Sequence, residues 1–208
     1  MEKTLNVRGE AALYVDPDKT IVAMHLEDTK EAYEDCLTLS DAKTNLLKSA
    51  LSDAGFASEQ IKTTAFCLAP AYESKKVGNI YQSIQVGYTF KHDLKIEFPM
   101  DAQLLKNVLE TLKSCSVDVA FRISYGLWSE EEAMDKAIYL AVQDAKHKAK
   151  ILAKAAEITL GDIEHIDYEE ESDILCNAVY AKTVNENEGM NAEPIEIRTE
   201  VLISWRIK

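Results

Sequence analysis

Between residues 80 and 98 the chain alternates. Ile84, Val86, Tyr88, Phe90, His92, Leu94, Ile96 and Phe98 share one side, and Gln85, Thr89, Lys91, Asp93, Lys95 and Glu97 share the other. A two-residue period with one apolar side is the mark of a strand buried on one face, the usual arrangement in antiparallel sheets. The same period runs through Ile195, Ile197, Thr199, Val201, Ile203, Trp205 and Ile207 and predicts a closing strand there. Further strands are predicted over 5–15, 20–26, 61–72, 117–125, 163–168 and 174–183. In the second of these Val22, Met24 and Leu26 lie on one face, so His25 points away from the core. Asp16-Pro17-Asp18 reads as the turn of a hairpin joining the first two strands, because proline presets φ for a turn. Residues 73–79 read as the loop before the long alternating strand, and the polar stretch 185–193 as a mobile loop.

Three segments carry helical spacing instead. Asp28 and Glu31 have the spacing of a capping box ahead of Ala32, Cys36, Leu39, Leu46, Ala50 and Ala54, and Gly55 offers a left-handed stop. Asp101 is placed to cap a short helix with Leu105, Val108, Leu109 and Leu112 on its inner stripe. Ser129 and Glu132 have capping-box spacing before a helix predicted to run to about residue 158. In that helix Ala133, Ala137, Ala141, Ala145, Ala149 and Ala153 recur every four residues. Such a ridge of small side chains lets a neighbouring element approach closely. The elements together predict an α+β fold, with antiparallel sheets and long helices packed on one face. The organisation is either one domain over 1–208 or two βαβ-type subdomains, 1–98 and 99–208.

Length and charge narrow the partners. A chain of 208 residues buries about 70% of the surface its unfolded form exposes, enough for a packed core without staples. A formal net charge of −13 repels phosphate backbones and anionic headgroups, which argues against nucleic acid and membrane surfaces as partners. Apolar runs are far shorter than the roughly 20 residues that span a bilayer, so no membrane insertion is expected. No leader is read at Met1, which points to the cytoplasm, or to an envelope protein whose leader has been removed. Cys36, Cys67, Cys115 and Cys176 are widely spaced, without a CxxC or a Cys/His cluster, and read as free thiols.

Taken in order, several short motifs resemble the SIMPL-domain family, long catalogued as a domain of unknown function. They are Val7-x-Gly9 with Asp16-Pro17-Asp18, Ala54-Gly55-Phe56 with Ile61-x-Thr63, Pro70-x-Tyr72, and Gly87-Tyr88. Ala145-x-x-Lys148-Ala149-x-x-Leu152-Ala153 and Leu160-Gly161-x-Ile163 come next, and then the alternating terminal strand. The resemblance implies an α+β fold, a tendency to self-assemble and, in several bacterial members, a link to oxidative-stress defence or the cell envelope. It implies no catalytic residues. Gly9, Asp16, Pro17, Asp18, Gly55, Gly87, Tyr88, Ala149 and Gly161 are its structural signature positions.

The residues offer little chemistry of their own. No nucleophile elbow, HExxH, phosphate loop or dinucleotide fingerprint is present. His25, His92, His147 and His165 fall on different elements, and His92 reads as an inner-face histidine with satisfied ring nitrogens. Glu130, Glu131, Glu132 and Asp135 precede Lys146, Lys148, Lys150 and Lys154 on one helix, an order that complements the helix dipole. Glu169, Glu170, Glu171 and Asp173 lack the spaced ligands of a calcium loop. No catalytic residue, cofactor or metal site is therefore expected. The leading expectation is a non-enzymatic homo-oligomer or interaction protein, with Trp205 as an interface anchor. The alternative is a small-molecule-binding protein or unrecognised enzyme with a pocket between sheet and helices.

Overall fold

The computed structural model describes residues 3–77, 80–168, 174–175, 178–179 and 192–208. The residues 169–173 and Cys176 lie outside that set, as does most of 174–183 and of the loop at 185–193. Two compact units are present: Met1–Asp18, Gly126–Asn177 and Ala192–Lys208 form one, Lys19–Tyr125 and Ala178–Asn191 the other.

The first unit is a sheet with one long helix. Strand β1 (Thr4–Val15) pairs antiparallel along its whole length with the terminal strand, and that strand pairs on its other side with Leu160–Asp167. Helix Glu130–Ala155 covers this sheet with Ala137, Ala141, Ala145, Ala149 and Ala153, all buried, as the four-residue ridge predicts. Ala141, Ala145 and Ala149 pack with Val7, Val201, Ile203 and Trp205. Acidic Glu130, Glu131 and Glu132 occupy its first turn and Lys154 its last, as the dipole favours. Ser129 stands at the N-cap position, yet its side chain makes no capping bond, so the predicted box with Glu132 does not form.

In the second unit β2 (Lys19–Lys30) lies between two strands of an antiparallel sheet. In chain order β2 is followed there by α1 (Tyr33–Asp53), β3 (Lys62–Val77), β4 (Ile80–Pro99), α2 (Ala102–Ser114) and β5 (Ala120–Gly126). The rest of the chain supplies α3 (Glu130–Ala155), β6 (Leu160–Asp167), β7 (Ile174–Leu175), β8 (Ala178–Val179) and β9 (Ile195–Ile207). The strand order of this second sheet is β3-β4-β2-β5-β8. Val22, Met24 and Leu26 meet Phe90, Leu94, Ile96 and Phe98 in one core, closed by Leu47 and Leu51 of α1 and by Leu105, Val108 and Leu112 of α2. Asp101 caps α2 as its position predicts, accepting from Gln103 N at 2.8 Å and Leu104 N at 3.0 Å.

Three local expectations are corrected. The predicted hairpin of β1 and β2 is absent: β1 pairs with β9 and β2 with β4, in different sheets. Asp16-Pro17-Asp18 is a crossing link, tied by Asp18 N to Gly126 O at 3.1 Å and by Trp128 N to Asp18 Oδ1 at 2.8 Å. The capping box of Asp28 and Glu31 does not form either, because β2 continues to Lys30 and Asp28 instead holds Lys43 at 2.7 Å. Along α1 the buried stripe is Cys36, Ser40, Thr44, Leu47 and Leu51, whereas Leu46 is exposed. Its end is as expected. Gly55 adopts φ +99, Phe56 N bonds Leu51 O at 3.0 Å and Gly55 N bonds Ser52 O at 3.0 Å, a Schellman stop.

Candidate functional site

The loop expected at 73–79 is in large part strand. β3 and β4 stay paired from Lys62↔Lys95 out to Val77↔Ile80, so the two strands reach well past the rest of their sheet. The last pair that β2 makes with β4 is Lys30↔Tyr88. Beyond it Ala71–Val77 and Ile80–Gly87 form a two-stranded arm. Tyr72, Ile80 and Tyr81 are 61%, 67% and 69% exposed, and Ile84 and Phe66 are exposed as well. Opposite residues share a face, so Tyr72, Ser74 and Lys76 stand with Gln85, Ser83 and Tyr81, and Glu73 and Lys75 with Ile84 and Gln82.

The arm's base is built from the Gly87-Tyr88 motif. Pairing slips between Ala71 and Tyr72, leaving Val86 as the extra residue of a bulge, the device that bends a strand and re-aims the residues beyond it. A Cβ at Gly87 would fall 2.2 Å from the Lys30 carbonyl oxygen, so only glycine fits beside the end of β2. Tyr88 meets Tyr33 edge to face at 5.5 Å, and its carbonyl accepts the Cys36 thiol at 3.2 Å. The sequence places Ile80–Gly87 of the arm in a strand, as observed, but not the residues 73–77 opposite. The arm's signal is the charge pattern: from Phe66 to Phe90 the only charged residues are Glu73, Lys75 and Lys76, in a chain of net charge −13.

The second polar feature is a cross-strand cluster on the solvent side of β2 and β4. His25 Nδ1 lies 2.5 Å from Asp93 Oδ1 and Nε2 lies 3.3 Å from Glu27 Oε2, while Lys91 meets Glu27 at 3.2 Å. The hydrogen bond to Asp93 raises the His25 pKa above 6.5, and the bond to His25 lowers that of Glu27. His25 is held toward its charged form and makes a charge ladder of the sheet surface, facing away from the core as read from the sequence. His92 is the opposite case. It is buried, its ring nitrogens engage the hydroxyls of Thr44 at 2.9 Å and Thr63 at 3.0 Å, and burial pushes its pKa below 6.5. Among the described residues no group of three or more His, Cys, Asp or Glu is placed to hold a metal ion.

The signature positions are spread over the fold rather than gathered. Gly9 lies in β1 against α3, Ala149 is buried on the ridge of α3, and Gly161 in β6 passes the Arg206 backbone. Asp16, Pro17 and Asp18 form the crossing link, Gly55 ends α1, and Gly87 and Tyr88 seat the arm. Trp205 is 4% exposed, packed with Val7, Ala141 and Ala145 inside its own unit, which leaves its ring no surface to offer a partner. Among the described residues no helix is long and apolar enough to cross a membrane. A family model described as SIMPL, protein of unknown function (DUF541), matches residues 5–205. No curated protein matches the chain.

Proposed function

Because this chain belongs to the SIMPL family, whose Gly87-Tyr88 motif here seats an exposed arm, we propose that it acts by self-association, as a non-enzymatic assembly protein with that arm as its contact surface. The observation that carries this reading is the combination of exposed Tyr72, Ile80, Tyr81 and Ile84 with scarce charge. Contact surfaces between proteins are rich in aromatic residues and poor in charge at their centre, and this arm has that composition on an otherwise acidic chain. A two-stranded hairpin is marginal in water by itself, so docking also stabilises the arm. The arm, and not the buried Trp205, is the anchor in this reading. Free thiols at Cys36, Cys67 and Cys115 favour a reducing compartment such as the cytoplasm. Light scattering over a concentration series at moderate salt tests the proposal. A mass that rises with concentration supports it, and a monomer mass throughout refutes it.

A further inference from the structure

Sheet edges in the two units are treated differently. β1 ends the strand order of its sheet, and side chains of α3 occupy its backbone: Glu10 N donates to Asp144 Oδ2 at 2.9 Å and Lys148 Nζ donates to Arg8 O at 3.4 Å. β3 ends the order of the other sheet, and among the described residues β4 is its one neighbour there. Among the described residues no strand pairs with its outer edge, which presents the row of backbone donors and acceptors that proteins otherwise cover. Pro70 has no N–H and breaks that row, which leaves Ala71–Val77 as the continuous stretch. Seven residues have one centre, Ser74.

The charges around that centre are self-complementary. Turned about Ser74, an antiparallel second copy sets Glu73 opposite Lys75 and Tyr72 opposite Lys76, each pair made twice. Opposite charges facing each other across strands are stabilising, and an ammonium over a tyrosine ring is too. Within one chain Glu73 and Lys75 are only 3.7 Å apart on a shared face, both exposed, so a two-fold pairing brings four alternating charges together. We propose that two copies of this chain join edge to edge through Ala71–Val77 of β3, with the two-fold axis at Ser74. This rests on the self-association reading and names its contact. The joined arms make a four-stranded ribbon in which each β3 gains a second neighbour beside β4.

Charge exchange between copies provides the test. Glu73→Lys and Lys75→Glu, both on exposed positions, are each expected to weaken self-association about tenfold, because like charges then face each other. Mixing the two variants in equal amounts is expected to restore the mass seen for the unaltered chain, since each then faces its complement on the other copy; repair of the ion pair within one chain cannot do this. As a geometric check, Ser74→Cys in a Cys67→Ser background is expected to form a disulfide-linked dimer on mild oxidation, while Tyr72→Cys and Lys76→Cys in that background link far less. Association that persists in both single variants, or equal linking at all three positions, overturns the edge pairing and leaves self-association standing. A monomer mass for the unaltered chain overturns both.

Discussion

Gly9 and Ala141 are in such close contact that a Cβ on Gly9 would stand 2.1 Å from the Ala141 carbonyl oxygen. The same atom would meet the Ala145 Cβ at 2.7 Å, so β1 and α3 touch backbone to backbone. The alanine ridge and the glycine are two halves of one contact. Replacing Ala141 with Leu is expected to overpack it by about 1–3 kcal/mol, and Gly9→Ala to act in the same direction. Thermal unfolding measures both. An unchanged midpoint in both variants would show that β1 and α3 are not in close contact.

A buried hydroxyl without a partner separates two neighbours on α1. Ser40 Oγ is buried and makes no hydrogen bond, whereas Thr44 Oγ1 bonds His92. Ser40→Ala is therefore expected to be neutral or stabilising, and Thr44→Val to cost about 1–3 kcal/mol by stranding a ring nitrogen. Denaturant unfolding of the pair compares them directly. A larger loss for Ser40→Ala than for Thr44→Val contradicts this assignment.

The two histidines on the second sheet give opposite pH dependences. His25 has a raised folded pKa, so its contribution is complete below about 6.5 and is lost as pH rises through the folded value. His92 has a lowered one, so the unfolded chain takes up its proton first and stability falls as pH drops below about 6.5 toward the folded value. Ring-proton NMR titration is expected to place the His25 midpoint above 6.5 and that of His92 below it. The reverse order would show that neither the Asp93 bond nor burial governs these rings.

Thiol chemistry tracks exposure. Cys67 is exposed and Cys36 fully buried, with its thiol bonded to the Tyr88 carbonyl. An aromatic disulfide reagent added to native protein is expected to modify Cys67 within the first phase and Cys36 only on unfolding. Peptide mapping of the early product identifies the site. Early modification of Cys36 would mean that α1 opens readily from its sheet.

Much of this fold was legible because burial leaves a local imprint. The alternation in 195–207 and the inner face of β4 from Phe90 to Phe98 are the buried faces observed, and the ridge from Ala137 to Ala153 is the buried side of α3. The place of His92 on the inner face with both ring nitrogens satisfied was also legible, from its position on an apolar side. The polar stripe of Cys36, Ser40 and Thr44 was not, since a hydrophobicity pattern treats serine and threonine as outward residues until a partner such as His92 is placed beside them. The β3 half of the arm was missed for a related reason: Glu73-Ser74-Lys75-Lys76 carries no apolar side, and only the pairing of 73–77 with 80–84 reveals a strand there.

Sequence alone determined where most strands and helices lie and, for β9, α3 and the Phe90–Phe98 part of β4, which side is apolar, because a period of two or of 3.6 is a property of neighbouring residues. Tertiary structure decided which strands meet. β1 and β2, three residues apart, part into different sheets, while Thr4 pairs with Arg206 across almost the entire chain. A strand's own pattern states that one face must be buried, and every other apolar face in the chain satisfies that demand equally well. The choice among them rests on contacts between distant residues, such as Gly9 against Ala141 and Gly87 against Lys30, which exist only once the chain has folded.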